Sequence, residues 1–155
     1  MTTSTYETAL LWLFLDEASL DKTVSTRIRY HRIVNRLQYF LDQIDVTPHL
    51  GTDPAAMLEV ERDFGRRGSF FRVFGATELV CCLPAFIEDP WLPADRVEAR
   101  TQISLTGRLL RWLDSHRQMD PFTGNCALWE AQAAVKAARS RVTKEARTAR
   151  RNVGS

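Results

Sequence analysis

The sequence predicts a mainly α-helical fold, a compact multi-helix domain, and three observations lead there. Apolar residues recur at intervals of three and four in one segment after another. Signals for helix starts and stops separate those segments: Ser4 stands three residues before Glu7, Asp53 precedes Pro54, and glycine or proline fills most of the breaks. Hardly any stretch alternates apolar with polar residues as a half-buried strand would, and no internal repeat is visible. With 155 residues, 45% hydrophobic and 26% charged, the composition is that of a globular chain with one core.

Taken in order, the first helix is expected over 5–18, opened by the capping-box spacing of Ser4 and Glu7. Its run from Leu10 to Leu15 is apolar all round, which places it centrally in the core. A longer helix over 22–44 follows. Val24, Ile28, Val34, Leu37, Leu41 and Ile44 lie on its stripe, with Arg27, Arg29, Arg32 and Arg36 mostly off it, as solvated side chains. Residues 45–52 contain Pro48 and Gly51 and read as a loop. Asp53-Pro54 starts a third helix, to Phe64, with proline at the first helical position, and the basic turn Gly65-Arg66-Arg67-Gly68-Ser69 ends it.

Residues 70–74 fit a short strand or the start of a helix equally well. A helix over 77–88 is expected to bend at Pro84. After the stiff connection 89–93, two helices are expected at 94–100 and 105–118, joined by a turn at Thr101-Gln102-Ile103-Ser104. The turn-rich 120–125 precedes a last helix over 127–150.

Charge is unevenly spread. Residues 127–155 carry seven basic and two acidic side chains, a net +5, while 1–126 carry a net −3. A slightly acidic body with a basic tail points to an anionic partner such as nucleic acid. The longest apolar run spans seven residues, far short of the roughly 20 that cross a bilayer, and nothing resembles a signal-peptide cleavage site. Cys81, Cys82 and Cys126 have no metal-ligand spacing, and the first two read as small buried hydrophobes in a reducing, cytoplasmic setting. His31, His49 and His116 sit in no catalytic or metal motif, and Glu59 with Asp63, beside Glu61 and Arg62, reads as a solvated helix face. No enzyme activity, cofactor or metal is expected.

The segment 88–124 resembles a winged helix-turn-helix of the kind appended to Fic-family proteins and found in small bacterial regulators. The shared elements are an apolar helix ending at Pro90, a short helix around Val97, the turn 101–104 and a following helix with paired leucines. The match runs on through Met119-Asp120-Pro121-Phe122-Thr123-Gly124, where that module turns toward a wing. The resemblance implies a recognition helix anchored by Leu105, Leu109, Trp112 and Leu113. Ser104, Thr106, Gly107, Arg108 and Arg111 would then face the major groove of double-stranded DNA. The sequence departs from the module at Gln102 and Glu98, where glycine and a small residue are usual, and at Gly107, which costs about 1 kcal/mol of helix propensity. The histidine and glycine-rich loop of Fic catalysis is absent. A second segment, Thr23 to Tyr30 with Val34, Leu37, Phe40 and Leu41, resembles the core-binding helix of tyrosine recombinases, without their catalytic residues.

The chain thus divides into a helical core, 1–126, and a basic amphipathic helix, 127–155. In the latter, Leu128, Ala131, Val135, Ala138, Val142, Ala146, Ala149 and Val153 form a stripe of mostly small residues. Such a stripe suits packing on the body, pairing in a homodimer, or exposure, and Leu128 with Trp129 is expected to fix its first turn to the body. The sequence-level reading is a small bacterial or mobile-element transcriptional regulator. It would bind DNA through Ser104, Thr106, Arg108 and Arg111, with Arg139, Lys144, Arg147, Arg150 and Arg151 on phosphates. The alternative is a helical protein-interaction module (an adaptor, inhibitor or antitoxin-like partner). Such a module would use Val135 and Val142, or an exposed Phe70, Phe71 and Trp91.

Overall fold

The computed structural model describes the backbone of residues 3–154 and the side chains of residues 9–154. These residues form eight helices and no strand: α1 Thr3–Ala18, α2 Val24–Gln43, α3 Thr47–Leu50, α4 Thr52–Phe64, α5 Ser69–Val73, α6 Ala76–Phe86, α7 Arg96–Ser115 and α8 Gly124–Val153. The mainly α expectation holds. The side chains of Ser4 and Glu7, which suggested the first cap, lie outside those described.

Local chemistry sets several boundaries. Thr23 caps α2, its Oγ1 accepting from the Thr26 N–H at 3.2 Å, and the Asp95 carboxylate caps α7 by accepting from the Glu98 N–H at 2.9 Å. The Glu78 carboxylate accepts the Gly75 N–H at 3.0 Å ahead of α6. Gly68 takes a left-handed φ of 73°, which a side chain would oppose, and its N–H donates to Asp42 at 2.9 Å. The open choice at 70–74 resolves as helix, because Phe70 and Phe71 both turn into the core. Part of the expected 45–52 loop is the single turn α3, and α4 starts at Thr52, before Asp53.

Three readings are corrected. The predicted turn at 101–104 is the interior of α7, an unbroken helix of 20 residues. The segment holds neither glycine nor proline, and burial favours continuity: Ala99, Ile103, Leu110 and Leu113 are all buried at helical spacing. With no strand among the described residues, residues 119–123 lead directly into α8 and form no wing. Arg62, read as part of a solvated face, is buried at 7% exposure. Its Nη2 donates to the Leu41 and Ile44 carbonyls at 3.0 and 2.9 Å, satisfying the end of α2.

The core gathers Leu11 and Phe14 of α1, Leu37 and Phe40 of α2, Leu79 and Leu83 of α6, and Leu110 and Leu113 of α7. Helix α7 is central and touches α1, α2, α6 and α8. Helix α8 packs along α6 and α7, burying Leu128, Ala131, Val135, Ala138, Val142 and Ala146. Gly107 explains how small residues suffice. A Cβ there would stand 3.3 Å from Val135 Cγ1 and 3.2 Å from Arg139 Nη2, so its absence lets α8 approach closely.

Cys82 is fully buried, and burial pushes its thiol up to about 12, aided by Cys81 and Glu78; Cys126 is exposed. Maleimide labelling of the folded protein at mildly alkaline pH should therefore show one fast thiol, lost in Cys126→Ser. Two fast equivalents in the wild type would contradict this packing.

Candidate nucleic-acid interface

The structure separates the residues expected on a recognition helix. Ser104 and Arg111 are exposed on α7. Thr106 is only 4% exposed, with its hydroxyl donating to the Gln102 carbonyl at 2.7 Å, so it cannot meet a groove. Gly107 lies under α8. Arg108 is half-buried and turned toward α1 and α2, donating to the Tyr30 hydroxyl at 3.2 Å and more weakly to the Ala18 carbonyl. The face that was to enter DNA is thus largely spent inside the fold. The α2 arginines are also engaged. Arg29, Arg32 and Arg36 converge on the Glu98 carboxylate at 3.3, 2.8 and 3.8 Å, and Arg27 donates to the Ser19 carbonyl.

The basic residues of α8 behave differently. Lys136, Arg139, Arg141, Lys144, Arg147, Arg150 and Arg151 are all exposed. Among the described residues, none has a carboxylate oxygen within 4.0 Å. At 3.6 residues per turn, all but Arg141 fall within an arc of about 140°. Glu130, Arg141 and Glu145 lie on the other flank of the buried stripe. From Lys136 to Arg151 the cationic flank runs about 22 Å along the helix at 1.5 Å per residue. Arg139, whose guanidinium covers Gly107, brings the edge of this flank beside α7. On that side α7 presents Ser104 and Arg111, with Arg100 a further turn away.

The start of α8 is fixed by Asp120. Its carboxylate accepts the N–H groups of Phe122 and Thr123 at 2.8 and 3.1 Å, and the Phe122 bond leads in holding the carboxyl below its usual range. The Gly124 N–H donates to the Asp120 carbonyl at 2.8 Å, and the Asp120 N–H to the Thr77 hydroxyl at 2.8 Å, tying this turn to α6. Phe122 and Trp129 project from this end at 90% and 73% exposure. Trp129 therefore does not anchor the helix as expected; Leu128 alone does.

The sequence-level list omitted Lys136, Arg100 and Trp129. The helical phase of Lys136 and Trp129, relative to the Leu128–Val135–Val142 stripe, was the signal that places them on the cationic flank. The routes to a protein partner change too. Val135 and Val142 are buried against the chain's own helices, which removes the apolar stripe from a homodimer seam. Phe70 and Phe71 are buried and Trp91 is half-buried.

Among the described residues, no cluster of three or more His, Cys, Asp or Glu side chains could hold a metal, and no helix is long and apolar enough to cross a membrane. Comparison with protein-family models, with curated proteins and with solved structures finds no match.

Proposed function

We propose that the protein binds DNA through the cationic flank of α8, as a small non-catalytic protein of the kind that regulates transcription. One observation carries this reading: six cations share one flank of a helix whose opposite side is packed on the core, and none is neutralised by a carboxylate among the described residues. A row of guanidinium and ammonium groups on a packed helix suits phosphates, and such contacts position a nucleic acid without reading its sequence. Arg139, Lys144, Arg147, Arg150 and Arg151 keep the role expected of them, with Lys136 added. Ser104 and Arg111 extend the surface onto α7, whereas Thr106 and Arg108 drop out.

Fluorescence anisotropy with labelled duplex and single-stranded DNA of mixed sequence, over a salt series, tests this. Four to six phosphate contacts predict a slope of log affinity against log salt of about −3 to −5. Absence of binding to either form at low salt would refute the proposal.

A second reading, a helical protein-interaction module, keeps one observation in its favour. Met57, Val60 and Phe64 form an exposed apolar face on α4, at 60%, 59% and 85% exposure. Under that reading Val60→Asp abolishes partner binding and leaves the anisotropy signal unchanged.

A further inference from the structure

We infer that the nucleic acid preferred by this surface is single-stranded, with a base stacked on Trp129; the inference rests on the DNA-binding reading above. Trp129 is 73% exposed although it belongs to a helix with an extensive buried side, so its indole is not used in the core. Its phase is that of the cations. Trp129, Lys136, Ser140 and Arg147 lie within about 40° of one another on the helix surface, in a line parallel to its axis. Lys136 stands one heptad, about 10 Å, beyond the indole, and the other cations continue from there. Phe122 is 90% exposed one heptad before Trp129, and the Asp120 carboxylate fixes its backbone.

An aromatic at one end of a row of cations has a distinct use. A duplex hides the faces of its bases, so an exposed indole gains little from it beyond contact with the backbone. A single strand offers π-faces as well as phosphates, and base–aromatic stacking is sequence-tolerant because every base has such a face. The roughly 22 Å cationic flank matches about six phosphates of a stacked strand at about 3.4 Å each. Between the aromatics and the cations the flank carries only the small or neutral side chains Gln132 and Ala133, so nothing charged interrupts the path.

The test compares an oligothymidylate of about 20 nucleotides with a mixed-sequence duplex of equal length, using the full chain and anisotropy at fixed salt. The single strand should bind more tightly. Trp129→Ala should weaken it by roughly 5- to 100-fold while duplex affinity stays within about twofold, and Trp129→Phe should recover most of the loss. Oligothymidylate should also quench the intrinsic tryptophan fluorescence of the wild type, and Trp129→Phe should remove that quench. Equal affinity for both forms, or equal loss on Trp129→Ala, would overturn the stacking inference and leave phosphate binding intact. No binding of either form at low salt would remove both. Association with phosphatidylserine vesicles in place of either oligonucleotide would reassign the flank to a membrane surface and also overturn both.

Discussion

Replacing Gln102 by leucine is expected to destabilise the fold by about 3 kcal/mol. For a chain of this size that lowers Tm by roughly 6–12 °C. Gln102 is fully buried, and its amide joins three parts of the molecule. Nε2 donates to the Phe86 carbonyl at 2.8 Å and to the Trp91 carbonyl at 3.1 Å, and Oε1 accepts from Arg36 Nη1 at 2.5 Å. Leucine fills a similar volume and makes none of these bonds. The end of α6 and the turn after it would lose donors, and Arg36 would lose an acceptor beside Glu98. The cost lies in partners left unsatisfied, not in lost packing. Thermal unfolding followed by circular dichroism measures it, and a fall in Tm of less than about 2 °C would contradict the role given to this amide.

The same residue shows what could be read from the sequence and what could not. Gln102 and Ser104 are polar, and beside Thr101 they resemble a turn. Helical phase told otherwise: Ala99, Ile103, Thr106, Leu110 and Leu113 step by four, three, four and three across the supposed break. A single polar residue does not announce whether water or a carbonyl two helices away will satisfy it. Arg62 was misread for the same reason, since its partners at Leu41 and Ile44 are distant in sequence. The α2 arginines likewise looked solvated because Glu98, which gathers three of them, lies more than 60 residues away. By contrast α1, α2 and α4 came out within a few residues. Their apolar periodicity and end signals are local, as is the chemistry that forms them. The excess charge of the last segment was also legible. Its concentration on one flank, with Trp129, needed the phase of the buried stripe.

The second large effect concerns that flank. Lys136→Glu combined with Arg147→Glu changes the charge along the line through Trp129 by four units. Both positions are exposed and mid-helix, away from the terminal turn where reversal would also oppose the helix dipole. Affinity for DNA at low salt should fall at least about 100-fold, while the circular dichroism spectrum stays that of the wild type. Reversal of Lys22 and Arg67, exposed in the α1–α2 and α4–α5 connections, makes the same change in net charge far from α8 in the chain. It should cost no more than about threefold, because screened charges away from the contact act only at long range.

The most direct test of the account is therefore the salt dependence of DNA binding, measured side by side for the wild type and these two double variants. Loss of two phosphate contacts should make the slope shallower by about 1.5 for Lys136→Glu/Arg147→Glu and leave it unchanged for Lys22→Glu/Arg67→Glu. Equal slopes and equal losses in both variants would show that net charge, and not the flank of α8, attracts the nucleic acid, and would contradict the interface assigned to it.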